Sequence, residues 1–336
     1  MPIKYLGSKR LLVPDIVRLT RELAPSGTVV DLFSGTSRVG HALKAAGYRV
    51  LANDCQHYAA AIARCYVQAD LEDHAAEAAR LIDELNALPG APGWFTETYC
   101  ERSRYLQPQN GARVDAIREA IAAKGLEPEL EAVLLVALME AADRVDSTAG
   151  VQMAYLKQWS ARSRNELELR LPELLPRAAA GKGRATRLEA REAARTLRGD
   201  IAYLDPPYNQ HSYLGNYHLW ESLVLWDKPD TYGVAHKRVD CRERKSDFNR
   251  KAAFLDAWRE TVDAVDARHL IVSFSDEGFV TREQMEEVLA TRGEVRVHGH
   301  DYKRYVGAQI GIHNLRGEKV GSVSHLRNRE FLFVVA

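Results

Sequence analysis

The pattern of apolar and polar positions predicts a strand, a helix and a second strand near the start of the chain. Residues 28–33 form a short apolar run typical of a buried strand, and a turn over 34–38 opens a helix that ends before Gly47. A second strand is predicted over 48–52. Such a unit implies parallel strand pairing through a right-handed crossover.

The pattern further along the chain predicts a mainly helical stretch followed by more strands. Helices are predicted over 57–88 and 129–145, with irregular structure over 92–112 between them. The second helix is apolar on all sides and should therefore be buried. Further strands are predicted at 187–189, 201–204, 269–274, 294–298 and 330–335.

Together these elements predict an α/β fold, a doubly wound and mostly parallel sheet with a mainly helical insertion. We expect residues 1–70 and 186–336 to form the catalytic sheet domain and residues 71–185 to form the insertion. A length of 336 residues accommodates one such core with one insertion.

The composition is that of a globular protein. Hydrophobic residues make up 46% of the chain, no apolar run reaches membrane-spanning length, and the first residues lack the apolar core of a secretory leader. We therefore expect a cytoplasmic protein that is a monomer or weak dimer and does not bind membranes. The four cysteines form no Cys-x-x-Cys pair, and we expect no metal site.

The charges balance overall but are segregated along the chain. Residues 157–198 hold eleven Lys or Arg against five Glu, and 237–251 hold seven against three acids, whereas 70–97 hold seven acids and one Arg. Such segregation favours a positive surface suited to nucleic acid. A solvated helix face explains either basic cluster equally well.

The strongest chemical signal is Asp205-Pro206-Pro207-Tyr208, which directly follows the predicted strand 201–204. The two prolines stiffen this loop because neither donates a backbone hydrogen bond and each restricts φ. Loops at the carboxyl ends of parallel strands are where open α/β sheets bind ligands. For the tetrapeptide alone, a plain turn after a strand is the alternative.

This loop has the groups needed to activate an aromatic amine. Asp205 and the Pro206 carbonyl could each accept a hydrogen bond from the amine, which would draw the nitrogen lone pair out of conjugation and toward an incoming methyl group. Tyr208 offers a flat face on which a base could stack after rotating out of a duplex.

A second ligand-binding loop is predicted at 31–37, where Gly35 allows close backbone approach at a helix N-terminus. A dinucleotide fingerprint would need another glycine where this chain has Ser37, which weakens a dehydrogenase interpretation. Asp54 ends the second strand, a position from which an acid can bind ribose hydroxyls. A helix N-cap is the alternative for Asp54 alone.

Four segments resemble, in content and order, the Dam-like N6-adenine-specific DNA methyltransferases of the alpha group. They are Lys4-Tyr5-Leu6-Gly7-Ser8-Lys9-Arg10, Asp31-Leu32-Phe33-Ser34-Gly35, Asn53-Asp54 and Asp205-Pro206-Pro207-Tyr208. The resemblance spans nearly the whole chain. It implies the S-adenosylmethionine-dependent methyltransferase fold, S-adenosyl-L-methionine as cofactor and double-stranded DNA as substrate.

The resemblance also implies roles for single residues. The N-terminal motif closes over the cofactor, with an aromatic contact from Tyr5 and a contact from Lys9 to its carboxylate. Asp54 takes the ribose, and Asp205 to Tyr208 perform the chemistry beside the cofactor. The residues that cradle the methionine part are Asp31, Phe33, Ser34 and Gly35.

The acid that contacts the cofactor's adenine is ambiguous in this chain. In the family it follows the third strand, and here the alternatives are Glu189, Arg191 and Glu192. We take Glu189 as the candidate.

Two segments, 142–157 and 209–218, are similar to the FokI-like methyltransferases of restriction systems, which implies a cognate restriction endonuclease as a candidate partner. We expect the insertion 71–185 to read the DNA sequence, with 220–251 as a second candidate region. The residues expected to face DNA are Gln152, Tyr155, Lys157, Arg162, Arg164, Asn216, Tyr217 and His218.

Other activities are disfavoured to different degrees. A C5-cytosine methyltransferase needs a cysteine nucleophile, normally after proline, and no cysteine here follows proline. N4-cytosine methyltransferases typically have serine in place of Asp205, which favours adenine. Methylation of an RNA amine stays open, and an inactive DNA-binding module is disfavoured by the intact Asp205 and Tyr208.

Overall fold

A computed structural model describes residues 3–303, 312–313, 319–321 and 327–336. The rest of the predicted sheet domain, at 1–2 and within 304–326, lies outside the described residues. The central sheet consists of Thr28–Asp31 (β1), Arg49–Asn53 (β2), Arg184–Thr186 (β3), Arg198–Leu204 (β4), Asp266–Ser275 (β5), Val295–Lys303 (β6) and Arg327–Val335 (β7). Two short antiparallel ribbons pair Thr231–Tyr232 with Lys237–Arg238 and Ile312–His313 with Lys319–Gly321.

The helices surround this sheet. They are Val13–Leu23 (α1), Arg38–Ala45 (α2), His57–Ala63 (α3), Leu71–Asn86 (α4), Pro108–Ala123 (α5), Pro128–Arg144 (α6), Ala190–Thr196 (α7), His218–Leu225 (α8), Lys251–Ala264 (α9) and Arg282–Leu289 (α10). Shorter helical turns cover Arg64–Gln68, Trp94–Thr96, Glu97–Glu101, Ala161–Arg164, Tyr213–Asn216, Val239–Arg242 and Asp247–Asn249. Among the described residues, none of these helices has the length and hydropathy to cross a bilayer.

The strand order is β3-β2-β1-β4-β5-β7-β6, and β7 alone runs in the direction opposite to the other six strands. The predicted doubly wound, mostly parallel sheet is therefore confirmed. Because the order reverses direction between β1 and β4, the loops after these two strands diverge to opposite faces and leave a crevice at their carboxyl ends.

Both faces of the sheet are buried, which explains why its strands read as continuous apolar runs rather than alternating ones. Val29 and Ile201 pack on one face in the core that includes α1 and α2. Their chain neighbours Val30 and Ala202 pack on the other face, in the core of α7, α9 and α10.

The predicted all-round buried helix is confirmed as α6, in which every residue from Ala132 to Asp143 is buried. Pro128 stands in its first turn, and the Glu127 side chain caps it by accepting a hydrogen bond from the Leu130 amide at 2.8 Å. The core of α6 also contains residues of α3, α4, α5 and α8. The helical segment therefore packs directly against helices that flank the sheet.

One prediction in this segment is wrong, since 108–112 begin α5 instead of being irregular. Pro108 occupies the first turn of α5, where its missing N–H leaves no hydrogen bond unmade. Gly111 lies inside the helix. Only glycine fits at this position, because a Cβ there would come within 2.5 Å of the Cys100 sulfur. Proline and glycine here mark a helix start and a close packing contact.

Two other predicted element boundaries differ from those in the structure. The helix predicted over 57–88 is interrupted before α4, where the buried Asp70 carboxylate pairs with Lys44 at 2.8 Å. The third strand covers 184–186 instead of 187–189. Only glycine fits at Gly183, directly before this strand, because a Cβ there would lie 2.5 Å from the Val67 carbonyl oxygen.

Candidate active site

A cavity of about 400 Å³ opens at the carboxyl ends of β1, β2 and β4. This volume lies in the range of small-molecule sites. Its lining residues come from 5–9, 31–39, 53–56, 187–191, 203–207, 212–213 and 244–249. The crevice expected from the strand order is thus a formed cavity closed on one side by the N-terminal segment.

The turn after β1 packs tightly against the N-terminal segment. Gly35 has φ +49°, a conformation that glycine adopts without strain. A Cβ on Gly35 would lie 3.3 Å from Cε1 of the Tyr5 ring, so this position needs both the freedom and the small size of glycine. The buried Ser34 donates its amide hydrogen to the Asn53 carbonyl at 2.9 Å, which joins the turn to β2.

Asp54, directly after β2, also holds this turn. Its Oδ2 accepts a hydrogen bond from the Gly35 amide at 3.0 Å, and its Oδ1 accepts one from the Gln56 amide at 3.0 Å. Burial raises the pKa of Asp54 to about 6, although the two amide hydrogen bonds oppose this shift. Asp54 therefore stabilises the two turns through these amides and also lines the cavity, whereas the N-cap of α3 is Gln56.

Asp31 is the last residue of β1 and is almost fully buried, at 1% exposure. Neither of its carboxylate oxygens makes a well-formed hydrogen bond with the described residues, and the Gly40 amide is the one backbone group that favours its charged form. Burial and the charges of Asp205 and Asp54 raise the pKa of Asp31 to about 8. Asp31 is therefore a buried carboxyl group without a cationic partner, and a cationic group in the cavity would favour its ionised form.

Asp205 follows β4 directly and lines the same cavity, with its side chain 20% exposed. Its Oδ1 lies 3.1 Å from the Lys9 ammonium, which also pairs with Glu330 on β7. Burial raises the pKa of Asp205 to about 6, an effect that Lys9 opposes and Glu330 increases. Of the two prolines, Pro207 lines the cavity and Pro206 is buried.

Tyr208 is half-buried beside the cavity and is not among its lining residues. Its ring meets the edge of Phe274 on β5, with 5.6 Å between ring centroids and an angle of 69°. Its carbonyl accepts a hydrogen bond from the Phe279 amide at 2.9 Å. The ring is therefore held against the sheet core at the end of the proline loop.

An aromatic cluster closes the other end of the cavity. The rings of Tyr213 and Tyr217 both lie nearly parallel to that of Tyr5, with centroid distances of 5.2 and 4.5 Å and interplanar angles of 10° and 15°. The Tyr5 hydroxyl lies 3.0 Å from that of Tyr58 on α3. The stack connects the N-terminal segment to the turn that follows the proline loop.

The side of the cavity formed after β3 carries Glu189 and Arg191. Glu189 is exposed and caps α7 by accepting a hydrogen bond from the Arg191 amide at 2.8 Å. Arg191 pairs with Asp247 at 2.9 Å, and Phe33 meets Phe248 edge-on with 5.1 Å between centroids. Glu189 and Arg191 line the cavity, whereas Glu192 is not among its lining residues, and the contact of Glu189 with the cofactor's adenine stays a prediction.

The family profile of the D12 class N6 adenine-specific DNA methyltransferases matches residues 5–288. The chain belongs to this family. It is 30% identical to the type II methyltransferase M.FokI of Planomicrobium okeanokoites, over 90% of this chain and 50% of that protein. It is 28% identical to the modification methylase StsI of Streptococcus sanguinis, over 92% of this chain and 50% of that protein.

A third relative differs in length. The type II methyltransferase M.NlaIII of Neisseria lactamica is 27% identical over 98% of this chain and 100% of that protein. The chain thus spans about half the length of its M.FokI and StsI relatives and the whole of M.NlaIII. The resemblance to D12-type, FokI-like methyltransferases of restriction systems, which the motifs indicated, is confirmed.

The cavity of this D12 family member fits the methyl donor on chemical grounds. S-adenosylmethionine carries an ammonium group, ribose hydroxyls and a flat adenine ring. The unneutralised Asp31 carboxylate suits the ammonium, and the Asp54 carboxylate at the end of β2 suits the hydroxyls. The Phe33 ring beside Phe248 suits the adenine.

Four residues expected to face DNA are buried instead. Gln152, Asn216, Tyr217 and His218 are at most 4% exposed. The Gln152 side-chain oxygen accepts a hydrogen bond from the Leu219 backbone amide at 2.9 Å. The Gln152 backbone N–H donates one to the Asn216 carbonyl at 2.7 Å. The prediction that these side chains face DNA is corrected. Gln152 and His218 join the 150–157 loop to α8, and the Tyr217 ring packs against Tyr5.

The other expected DNA contacts lie at the surface to different extents. Lys157 and Arg164 are exposed. Tyr155 is half-buried, edge-on to Tyr105 at a centroid distance of 5.3 Å. Arg162 is half-buried and pairs with Asp146 at 2.5 Å. Lys157 and Arg164 therefore stay candidates for phosphate contacts, while Arg162 is committed to an internal ion pair.

One group of possible metal ligands lies away from the cavity. Ligand atoms of Asp73, His74 and Glu129 lie within 4.8 Å of one another. Lys182 pairs with both carboxylates, at 3.3 Å to Asp73 and 2.9 Å to Glu129. Arg177 also pairs with Asp73 at 2.9 Å, so two cations already balance the two acids, and we assign no metal to them.

Sequence reasoning missed two acids near the cavity. Glu330 lies on the last strand, where the apolar run gave no reason to single it out. Glu221 on α8 is fully buried and accepts hydrogen bonds from His57 at 2.8 Å, the Tyr58 amide at 3.0 Å and Arg244 at 2.9 Å. A single acid within an apolar helix is a signal that could have identified Glu221, because buried acids need partners.

Proposed function

We propose that the chain transfers the methyl group of S-adenosylmethionine to the N6 amine of an adenine rotated out of a DNA duplex. The observation that carries this proposal is that the Asp205 carboxylate borders the same cavity as Asp31 and Asp54. A polarising carboxylate and a site suited to the methyl donor therefore share one space.

The proposed chemistry relies on hydrogen-bond acceptors fixed at the end of β4. The bound cofactor supplies an electrophilic methyl group. Asp205 and the Pro206 carbonyl would accept hydrogen bonds from the two amine hydrogens, which localises the nitrogen lone pair and orients it for attack. The methylated nitrogen would then lose one proton to water. The stiff proline loop preorganises these acceptors, so little rearrangement is needed at the moment of reaction.

The remaining assignments concern binding. Tyr208 would stack on the flipped base after a movement of its ring or of the loop, since the ring packs beside the cavity. Tyr5, Gly35 and Ser34, which line the cavity, are proposed to shape the pocket for the methionine part, and Glu189, which also lines it, is proposed to contact the adenine of the cofactor.

Residues 71–185 are proposed to recognise the DNA sequence, with Lys157 and Arg164 contacting phosphates. A helical region attached through the α6 core is suited to hold such a surface in a constant position relative to the cavity. A cognate restriction endonuclease is proposed as a functional partner, by analogy with the restriction-system relatives.

The test is transfer of a labelled methyl group to DNA grown without adenine methylation, followed by nucleoside analysis. The proposal expects labelled N6-methyldeoxyadenosine. Labelled N4-methyldeoxycytidine, or label entering RNA in preference to DNA, would replace it with another amine substrate. Asp205→Ala should abolish transfer with the fold retained, whereas Asp256→Ala, which changes an exposed carboxylate on α9, should leave it unchanged.

A further inference from the structure

Lys9 is held between two carboxylates from distant parts of the chain. Its side chain is only 5% exposed, and its ammonium lies 3.1 Å from Oδ1 of Asp205 and also pairs with Glu330. Burial alone would lower the pKa of Lys9, but the charges of Asp205 and Glu330 outweigh it and raise this pKa above its ordinary value. Lys9 is therefore a buried, charged group.

Glu330 is itself firmly placed. It lies on β7, between β5 and β6, opposite Ser275 and His300 in the strand register. Its carboxylate accepts a hydrogen bond from the Ser273 hydroxyl at 3.2 Å. Its side chain is 16% exposed, so water screens its charge only in part.

The charge balance of this group bears on Asp205. With Lys9 as its sole partner, Asp205 would belong to a neutral ion pair, and an incoming amine would compete with the ammonium for the carboxylate. With Glu330 present, one cation is shared by two carboxylates and the group keeps one net negative charge. An anionic acceptor forms stronger hydrogen bonds than a neutralised one.

We propose that Glu330 is a positioning residue for methyl transfer, which holds Lys9 so that Asp205 remains an effective anionic acceptor for the substrate amine. This inference rests on the proposed function, since the amine is the group that Asp205 polarises. Glu330 itself does not touch the substrate; it acts by holding Lys9 and through the effect of its own charge on Asp205.

The effect on titration has a definite sign. The charge of Glu330 raises the pKa of Asp205, and that of Lys9 lowers it. Removal of the Glu330 charge should therefore make Asp205 more acidic and a weaker acceptor. The other titratable groups around this cluster are Asp31 on β1, Tyr203 on β4, Tyr208 and Tyr213 after it, and His300 on β6, which faces Asp15 of α1.

The first experiment is the pH dependence of the single-turnover methyl-transfer rate for the wild type, Glu330→Gln and Glu330→Asp. Glu330→Gln should lower the rate about tenfold and move the acid limb of the profile about one pH unit lower. Glu330→Asp, whose charge is retained on a shorter side chain, should be intermediate in both. Asp301→Asn is the matched control, because this exposed acid on β6 pairs only with Arg329 among the contacts described.

The second experiment does not require catalysis. The carboxyl carbon of Asp205 is followed by NMR in protein labelled at aspartate, with its resonance assigned by Asp205→Asn. Its titration midpoint should fall in Glu330→Gln and stay unchanged in Asp301→Asn. If Glu330→Gln does not fold, the same measurements are made on Glu330→Asp. A rate, an acid limb and an Asp205 titration midpoint equal to those of the wild type would then overturn the inference.

The outcomes separate the two proposals. A wild type that methylates no nucleic acid contradicts the proposed function, while a lowered Asp205 midpoint would still support the coupling of Glu330 to Asp205. An active wild type whose rate, acid limb and Asp205 titration are unaffected by Glu330→Gln overturns the role of Glu330 and leaves the function standing.

Discussion

The Gly35 amide donates a hydrogen bond to the Asp54 carboxylate at 3.0 Å. This bond connects the turn after β1 to the end of β2, two positions where the chain changes direction beside the cavity. The carboxylate proposed to bind the ribose thus also shapes the turn proposed to receive the rest of the cofactor.

Asp31 should couple cofactor binding to proton release. With a pKa of about 8, it holds a proton below that pH in the free protein, and an ammonium ligand favours its ionised form. Affinity for S-adenosylmethionine should therefore rise with pH between about 6 and 8, with a proton released on binding. Calorimetry in buffers of different ionisation enthalpy measures both quantities.

Asp31→Asn should weaken this binding roughly 10- to 100-fold, the loss expected for a charge-assisted hydrogen bond, and should abolish the proton release. The exposed Asp256→Asn serves as control. Equal proton release from the Asp31→Asn and wild-type proteins would contradict the assignment of Asp31.

Methyl transfer should lose rate in acid. Asp205 must be ionised to accept hydrogen bonds from the amine, and its pKa is about 6. At saturating cofactor and DNA, the single-turnover rate should rise about tenfold from pH 5 to pH 7, with a midpoint at or below about 6. A flat profile over this range, with DNA binding verified at each pH, would rule out ionised Asp205 as the acceptor.

Glu221 should stabilise the fold above acid pH. Burial opposes its ionisation, but hydrogen bonds from His57, Arg244 and the Tyr58 amide lower its pKa to about 2, from an ordinary 4.5. Its contribution is therefore complete above about pH 4.5 and is lost as the pH falls toward 2.

Glu221→Gln should accordingly lower the free energy of unfolding by about 3 kcal/mol at pH 7, because it leaves Arg244 and His57 without their buried anion. Denaturant unfolding at a series of pH values measures this, and the difference from wild type should narrow below about pH 4.5. A difference that does not change with pH would argue for a packing effect alone.

Lys157→Ala and Arg164→Ala should each weaken DNA binding and reduce the slope of log affinity against log salt by about 0.9, the value for one phosphate contact. Titrations at several salt concentrations provide the slope. Arg198→Ala is the control. This exposed residue is the first of β4, at the end of the strand opposite the cavity, and pairs with Asp266. An unchanged slope in both variants would remove 157–164 from the interface.

Local sequence determined the sheet and the chemical identity of the site. The apolar runs at 28–33 and 201–204 correctly located β1 and the end of β4, because strands buried on both faces must be apolar at every position. Asp31, Gly35, Asp54 and Asp205 each follow or end such a run. Parallel strands bring these positions to one edge, so their shared cavity followed from pattern alone.

Local sequence failed where one residue's surroundings come from distant segments. Gln152 and His218 have polar side chains that suggest a DNA contact, yet both are buried. The Gln152 side chain accepts a hydrogen bond from the Leu219 amide of α8, and His218 Nε2 lies 2.9 Å from the Gln152 carbonyl. Proline and glycine at 108–111 indicated irregular structure, and the packing of Cys100 against Gly111 decided otherwise.

The sequence by itself therefore determined the class of fold, the end of the sheet that binds ligands and the groups that would polarise an amine, since each depends on neighbours in the chain. Only the tertiary structure decided that Lys9 pairs with Asp205 and Glu330, that Tyr208 rests against Phe274, and which surface groups stay exposed. Electrostatic energy and burial depend on distances between side chains, and those distances exist only once the strands are assembled.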